Sequence, residues 1–280
     1  MSRGFLNMLT GAYRLMRQDK GRFDGHAHVF RSDLPMVENR RYTPEYHAEM
    51  EQYIGHLRTN DLDGALLVQP SFLGTDNSYL LSVLANTAQS KGLIFRGTAV
   101  LEPDTTEAQL MELHKSGIVG LRLNLVGQSD SFQPDAWIPL LRRIDRLGWH
   151  LEIHCEGVNL AGVLESVLPY CQTVVVDHFG LPTQSNVANC PGQQAILAAP
   201  KQQIMVKTSA PYRVFPEIGS QQAAVQCNEI FKRLYEHLGS DALLWGSDWP
   251  WTRFETEHGF SEVVQWEQDW IASTEVPNSS

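Results

Sequence analysis

The chain has 280 residues and a formal net charge of −10, and 42% of its residues are hydrophobic. This length and this hydrophobic content suit a single globular domain with a full core. The acidic balance argues against nucleic acid or an anionic membrane as the main partner, although a site can still be locally basic. No run of residues approaches the roughly 18 apolar residues that a membrane span needs.

The first 20 residues contain interspersed basic side chains without a long apolar region, so we interpret residues 1–20 as a surface helix rather than a signal peptide. At the other end, residues 272–280 are expected to form a frayed tail of the same single domain. Four cysteines lie apart, at Cys155, Cys171, Cys190 and Cys227. Because they show no zinc-type spacing, we expect free thiols and a cytoplasmic location, where the medium is reducing.

Eight short apolar runs, rich in Val, Ile and Leu, are typical of buried parallel strands. In chain order these runs are residues 22–28, 64–70, 93–100, 119–125, 149–154, 173–178, 204–208 and 242–247. Helical periodicity between the runs predicts helices over residues 77–90, 136–147 and 223–238. The repeated alternation predicts a single (β/α)8 barrel, a TIM barrel with parallel strands. The competing open sheet usually has a glycine-rich turn after its first strand, where this chain has His-Ala-His.

Chemically active side chains close several of these runs. His26 and His28 close the first run two residues apart, so strand alternation turns both imidazoles to one side. His154, His178 and Asp248 close the fifth, sixth and eighth runs. Because a parallel barrel carries its chemistry at the carboxyl ends of the strands, we predict that these five catalytic side chains share one pocket.

More ordinary interpretations stand beside this prediction. The histidines would then be hydrogen-bonded core residues, and Asp248 would be a helix N-cap. Asp177 precedes His178, and strand alternation lets only one of the two point inward. The position at the strand end favours His178.

Three imidazoles and one carboxylate make a chemically sensible site for one divalent metal ion, with zinc as the first choice. The predicted ligands are His26, His28, His154 and Asp248. Metal-independent action remains the alternative.

The fourth run predicts an anion-binding group inside the barrel. In Leu121-Arg122-Leu123-Asn124-Leu125 the leucines should face outward, which leaves Arg122 and Asn124 inside. A buried guanidinium without a partner is costly, so Arg122 needs either a protein carboxylate or an anionic substrate. Arg213, after the seventh run, is expected to assist at the rim. These residues predict a small anionic organic substrate.

Taken together, these motifs resemble the amidohydrolase superfamily, and more narrowly its amidohydrolase-2 branch. The resemblance rests on Phe-Asp-Gly-His-Ala-His, on His154, on Val-Asp-His-Phe-Gly-Leu-Pro at 176–182 and on Trp-Gly-Ser-Asp-Trp-Pro at 245–250. It spans nearly the whole chain, and the last two segments most resemble 2-pyrone-4,6-dicarboxylate lactonases and sugar lactonases. The resemblance implies a (β/α)8 barrel that hydrolyses a lactone or a related carbonyl ester.

The chain departs from this pattern in two places. Members with two metals use a carboxylated lysine on strand four, where this chain has Arg122, so a binuclear site is not expected. The dicarboxylate lactonases that this chain resembles have two arginines near strand four. Residues 117–122 of this chain contain only one arginine. This difference counts against a dicarboxylate substrate. Those lactonases also work without metal, so the resemblance leaves metal dependence open.

We therefore expect a hydrolase that opens a small carboxylated lactone with activated water. Asp248 would act as general base, while His26, His28 and His154, with a metal if present, would polarise the carbonyl. His178 would bind the carbonyl or protonate the leaving alkoxide.

In this interpretation the substrate carboxylate would be held by Arg122, Arg213 and Asn124. One alternative is a metal-dependent non-oxidative decarboxylase of an aromatic or unsaturated acid, which the same branch includes. The other is a non-catalytic ligand-binding barrel. A homo-oligomer is compatible with either.

Overall fold

The computed structural model describes residues 21–275, apart from 88–89, 91 and 183–186. Eight parallel strands form one sheet in chain order. The strands are β1 Phe23–Ala27, β2 Gly64–Val68, β3 Ile94–Ala99, β4 Ile118–Asn124, β5 His150–His154, β6 Val174–Val176, β7 Ile204–Thr208 and β8 Leu243–Trp245. A bridge between Ala27 and Trp249 joins the end of β8 to β1 and closes the barrel. The predicted (β/α)8 barrel is confirmed.

Helices alternate with the strands and cover the outside of the barrel. In the described residues they are α1 Met50–Thr59, α2 Ser78–Thr87, α3 Glu107–Lys115, α4 Pro134–Arg146, α5 Gly157–Val167, α6 Pro191–Ala198, α7 Pro211–Val214, α8 Ser220–Leu238 and α9 Phe260–Glu275. The three predicted helices correspond to α2, α4 and α8, with small differences at their ends. In the described part of the chain, no helix is both long and apolar enough to cross a membrane.

The two chain ends compare differently with the prediction. Helix α9 continues to Glu275, so the first four residues of the predicted tail are helical. Residues 276–280 and the predicted surface helix over 1–20 lie outside the described residues.

The buried apolar residues form two clusters. The larger core lies between the sheet and the helices, and a smaller cluster of Leu66, Val68, Val175 and Leu244 lies apart from it. Alternation along a strand places residues two apart on the same face. Two residues beyond Val175, the same face of the chain therefore carries Asp177. The residues with possible catalytic roles therefore follow the apolar stretch of the strand at its carboxyl end.

Asp24 fastens β1 to the segment after β8. Its buried carboxylate accepts hydrogen bonds from the Ser247 backbone nitrogen at 2.8 Å, the Ser247 hydroxyl at 2.5 Å and the Tyr53 hydroxyl at 2.7 Å. The backbone nitrogen of His26 donates to the same carboxylate at 3.0 Å. Four donors offset the cost of burying this group, and the two from Ser247 connect β1 to the segment after β8.

Strands β6 and β8 are shorter than the sequence predicted. The apolar runs extend to His178 and Ser247, whereas the strands end at Val176 and Trp245. The backbone is left-handed at His178, with φ of 49°, and at Asp248, with φ of 55°. A left-handed residue cannot continue a strand, so the chain turns where the chemically active side chains lie.

Close strand packing leads to a stability prediction at Gly64. A Cβ atom at this position would lie 1.9 Å from the carbonyl oxygen of Ile94, which belongs to the neighbouring strand. Backbone atoms cannot yield easily, so Gly64→Ala should destabilise the fold by about 1–3 kcal/mol or more. Gly55→Ala is the control, because a Cβ there meets nothing within 4 Å in helix α1. That change should be neutral or stabilise by up to about 1 kcal/mol. Urea unfolding of both variants measures the difference, and equal midpoints would contradict it.

Candidate active site

The five side chains predicted from the strand ends converge at the carboxyl end of the barrel. The Nε2 atoms of His26 and His28 lie 3.2 Å apart. Oδ1 of Asp248 lies 3.6 Å from Nε2 of His26, 3.7 Å from Nε2 of His28 and 4.0 Å from Nε2 of His178. The ring of His154 is centred 5.1 Å from that of His178. One carboxylate oxygen therefore faces three imidazole nitrogens.

Backbone contacts hold the ends of β1 and β8 together around this group. The Asp248 backbone nitrogen donates to the His26 carbonyl at 2.8 Å. The His28 backbone nitrogen donates to the Trp249 carbonyl at the same distance. The register of β1 against β2 also shifts between Asp24 and Ala27, which re-aims the side chains at the end of the strand. These contacts fix both histidines relative to Asp248.

The expectation that only one of Asp177 and His178 points inward is wrong. Asp177 accepts from Arg122 inside the barrel, and His178 faces Asp248 while its Nδ1 lies 2.8 Å from the Ser209 hydroxyl. Alternation requires a continuous strand, and the left-handed backbone at His178 breaks it directly after Asp177. Both side chains therefore belong to the site.

A cluster of four buried charges lies against the histidines. Lys207 Nζ lies 2.5 Å from Oε2 of Glu152 and 3.4 Å from Oδ1 of Asp177. Arg122 donates to Oδ2 of Asp177 at 2.8 Å and lies 3.3 Å from Oε1 of Glu152. Two cations and two anions balance, and none is more than 3% exposed. In both carboxylates the cations outweigh burial and hold the pKa below its usual range.

Lys207 was not among the site residues predicted from the sequence. Its Nζ also lies 2.9 Å from Nδ1 of His26, so it touches the predicted site directly. The signal was present: Ile204 and Val206 face the outer core, which turns Lys207 inward on the same strand. A single lysine in a mostly apolar barrel strand indicates a buried charge, just as an inward arginine does.

The structure changes the role expected of Arg122. Its side chain faces inward as predicted, while Leu121 and Leu123 pack in the outer core. Register pairs Arg122 with Glu152, however, and the guanidinium is engaged by Glu152 and Asp177. A protein carboxylate therefore already meets its need for a partner, and substrate binding by Arg122 is not required to explain its burial.

Asp248 is held in a fixed orientation by two donors. The Tyr212 hydroxyl and Nε of Arg213 both donate to Oδ2, at 2.6 and 2.7 Å. Oδ1 is buried and accepts no hydrogen bond from the described part of the chain. Burial alone would raise the pKa of Asp248, but the Arg213 guanidinium, followed by the imidazoles, outweighs burial and holds that pKa well below its usual range. The carboxylate is thus ionised with one oxygen directed at the pocket.

Three of the histidines, His26, His154 and His178, are held neutral. Burial, followed by the charge of Lys207, lowers the pKa of His26 to about 3. Burial lowers the pKa of His178 to about 4. Burial and the Arg122 guanidinium, whose Nη2 lies 3.4 Å from Nδ1, lower the pKa of His154 well below its usual value. Near neutral pH these rings act as hydrogen-bonding groups without net charge.

A cavity of about 250 Å³ opens above these groups. Its walls include His28, His154, His178, Asp248, Asn124 and the four arginines Arg41, Arg122, Arg213 and Arg253. Arg41 and Arg253 were not among the residues predicted from the sequence, because they lie in loops at the mouth and not in an apolar strand. Nη2 of Arg41 donates to Oδ1 of Asn124 at 3.1 Å, a neutral acceptor. Partial desolvation of the guanidinium and the positive charges of the neighbouring arginines lower the pKa of Arg41. The electrostatic potential at the mouth is therefore positive.

Two groups of side chains in the described residues bring possible metal-ligating atoms within 4.8 Å of one another. They are His26 with His178 and Asp248, and His26 with Glu152 and Asp177. His178 thus stands where His154 was expected in the ligand set. The structure therefore contains residues that could form a metal site, and the predicted set of four ligands stays a prediction.

The lowered histidine pKa values predict an acid-labile fold. The unfolded histidines would take up protons near pH 6.5, whereas His26 and His178 resist them until about 3 and 4. The unfolded state therefore binds more protons as the pH falls below 6.5, and stability decreases by about 1.4 kcal/mol per pH unit for each such histidine. Thermal unfolding between pH 7 and 5 should show this loss, and His178→Asn should reduce its slope. A melting temperature that stays constant over this range would contradict the prediction.

Comparisons with known proteins agree with this geometry. A family model described as amidohydrolase matches residues 23–277. A 2-pyrone-4,6-dicarboxylate hydrolase from Comamonas testosteroni is 30% identical over 245 residues, covering 82% of this chain and 77% of that protein.

Two solved structures share the fold closely. One, from Pseudomonas putida and provisionally described as a 2-pyrone-4,6-dicarboxylic acid hydrolase, is 36% identical with a TM-score of 0.79, covering 90% of both chains. A probable hydrolase of the same acid from Acinetobacter baumannii, with citric acid bound, is 29% identical with a TM-score of 0.80. It covers 90% of this chain and 92% of that one.

Proposed function

The chain belongs to the amidohydrolase family, and on that premise we propose that it hydrolyses a small lactone that carries carboxylate groups. The observation that carries this proposal is Oδ1 of Asp248, a buried and ionised oxygen that faces three imidazole nitrogens beneath an arginine-lined cavity. A fixed base beside hydrogen-bonding groups is what addition of water to a carbonyl needs. The names of the relatives agree with a carboxylated lactone.

In the proposed reaction, a water molecule attacks the ring carbonyl carbon and Asp248 takes its proton. The Tyr212 and Arg213 hydrogen bonds to Oδ2 leave Oδ1 as the basic oxygen. The carbonyl oxygen gains negative charge, and His178, which lines the cavity, is placed to donate to it. When the ring C–O bond breaks, the proton held by Asp248 passes to the leaving oxygen. The product is a ring-opened hydroxy acid, or, from an enol lactone, an enol acid that can tautomerise to a keto acid.

Anion binding in this proposal depends mainly on the arginines at the mouth. Asp248 neutralises Arg213, and the buried carboxylates neutralise Arg122. Arg41 is bonded to a neutral amide oxygen and is exposed at the opening, where Arg253 also lines the cavity. In this proposal, arginines from different loops supply the charge that a second arginine near strand four supplies in the dicarboxylate lactonase pattern. A substrate with more than one carboxylate therefore fits better than the sequence alone indicated.

A zinc ion fits the spacing of the donor atoms but not their hydrogen bonding. Lys207 donates to Nδ1 of His26 at 2.9 Å, which leaves the ring hydrogen on Nε2, where an ion needs a lone pair. The mechanism proposed here therefore runs through protein groups and water. The same misfit counts against a metal-dependent decarboxylase.

Replacing the base tests the mechanism. Asp248→Asn keeps the shape of the side chain and removes its proton acceptor, so kcat for a carboxylated lactone should fall by about 10²–10⁴-fold. Ring opening can be followed by ultraviolet absorbance with a pyrone carboxylate as substrate. Asp33→Asn, at an exposed carboxylate that pairs with Arg31, serves as the control and should keep normal turnover. Near-normal turnover of Asp248→Asn would remove this residue from the mechanism.

Removing charge at the mouth tests substrate recognition. Arg41→Met should raise KM for a dicarboxylated lactone about tenfold with little change in kcat, because one charge-assisted hydrogen bond is lost. A neutral lactone should show no such change. Arg40→Met is the matched control, since that guanidinium donates to Thr43 and to the Val37 carbonyl. Equal losses for charged and neutral substrates would exclude the proposed role of Arg41.

A further inference from the structure

Lys207 stands between the charge cluster and the first histidine. It is fully buried, and its Nζ lies 2.9 Å from Nδ1 of His26, 2.5 Å from Oε2 of Glu152 and 3.4 Å from Oδ1 of Asp177. An ammonium group has hydrogens to donate and no lone pair with which to accept. The nitrogen of His26 that faces Lys207 must therefore be the acceptor of that contact.

This contact determines where the hydrogens of both neighbouring imidazoles lie. When Nδ1 of His26 accepts, the single ring hydrogen lies on Nε2, which is 3.2 Å from Nε2 of His28. Nδ1 of His28 lies 2.8 Å from the carbonyl oxygen of Val68, which only accepts. The His28 hydrogen is therefore on Nδ1, and its bare Nε2 accepts from His26. Every donor in this chain of three contacts meets an acceptor.

We infer that Lys207 is a positioning residue that holds the ring hydrogen of His26 on Nε2, so that His26 donates to Nε2 of His28 and offers no lone pair to a metal ion. This inference rests on the proposed function and extends it, because it names the lysine that makes the site unsuitable for a metal ion. The direction of the hydrogen bond from Lys207 to Nδ1 of His26 determines which ring nitrogen carries the hydrogen, and therefore whether Nε2 can bind a metal ion.

Two carboxylates near Nδ1 of His26 indicate where the ring hydrogen would lie without Lys207. Nδ1 also lies 3.4 Å from Oδ1 of Asp177 and 3.7 Å from Oε1 of Glu152, and both oxygens accept hydrogen bonds. With the ammonium removed, these acceptors would favour the hydrogen on Nδ1 and leave Nε2 bare. A histidine that donates from one nitrogen to a carboxylate is the usual form of a zinc ligand. Its Nε2 would then join the ligating atoms of His178 and Asp248 that already lie nearby.

Nuclear magnetic resonance of the wild-type protein tests the hydrogen position directly. Long-range ¹H–¹⁵N spectra of labelled histidine distinguish a bare ring nitrogen from a protonated one, and His26→Asn assigns the signals. Nδ1 of His26 should give the bare signal and Nε2 the protonated signal at pH 7. A hydrogen on Nδ1 in the wild-type protein would overturn the inference. This measurement needs no variant of Lys207 and no substrate.

Zinc affinity tests the consequence. Lys207→Met leaves an unpaired buried carboxylate, so the main variant combines it with Glu152→Gln and keeps the two remaining charges, Arg122 and Asp177, balanced. Titration of the folded metal-free protein with zinc chloride, against a chromophoric chelator, should show one site that binds about 10–100-fold more tightly than in the wild type. Adding His26→Asn to this variant should abolish the gain. Lys207→Arg, which keeps a charged donor, should not gain the site.

Two results would contradict this expectation. One is a wild-type protein that binds zinc at His26 as tightly as the double variant does, and the other is a folded double variant that gains no affinity. A merely structural role of Lys207 would lower stability without creating a zinc site. Neither readout depends on turnover, so failure of lactone hydrolysis would count against the proposed function and leave the ring-hydrogen result standing.

Discussion

The site depends on the balance of four charges buried in the barrel, Arg122, Glu152, Asp177 and Lys207. Burial of a single one of these groups would cost several kcal/mol, and each is tolerated because an opposite charge touches it. Strand register produces the contact, since Arg122 and Glu152 are paired neighbours on β4 and β5. The fold thereby places four balanced charges against the histidines, where Lys207 contacts His26 and Arg122 contacts His154.

Above this base, the chain leaves regular structure at the residues that carry chemistry. His178 and Asp248 have left-handed backbones, and each such residue costs about 1–3 kcal/mol relative to an ordinary conformation. Surrounding contacts hold them in place: the Asp248 nitrogen donates to the His26 carbonyl, and Asp24 binds Ser247 next to it. Backbone strain at these positions turns the two side chains towards a common point, which a straight strand would not do.

The sequence was sufficient for the barrel and for the convergence of its histidines, because both follow from periodicity and strand ends. Each of the eight apolar runs contains a strand, and the five residues at or just beyond their ends lie together: four line one cavity, and His26 is buried against them. The inward position of Asp177 was not predictable in the same way, since it depends on a left-handed residue that alternation does not describe. The inward position of Lys207 could have been predicted, because Ile204 and Val206 on the same strand face the outer core. The position of Arg41 could not be predicted in this way, because Arg41 lies in a loop at the mouth, where strand alternation does not apply.

The arginines show why composition alone is a poor guide to ligand charge. The chain has a net charge of −10, yet four arginines line the cavity. Their partners separate them into two pairs: Arg122 and Arg213 are neutralised by buried carboxylates and shape the site, whereas Arg41 is bonded to the neutral oxygen of Asn124 and, like Arg253, is exposed at the mouth. A cation already paired inside the protein gains little from a ligand, because the new contact competes with an existing one. The arginines at the mouth are therefore the ones through which the charge of a substrate can be recognised.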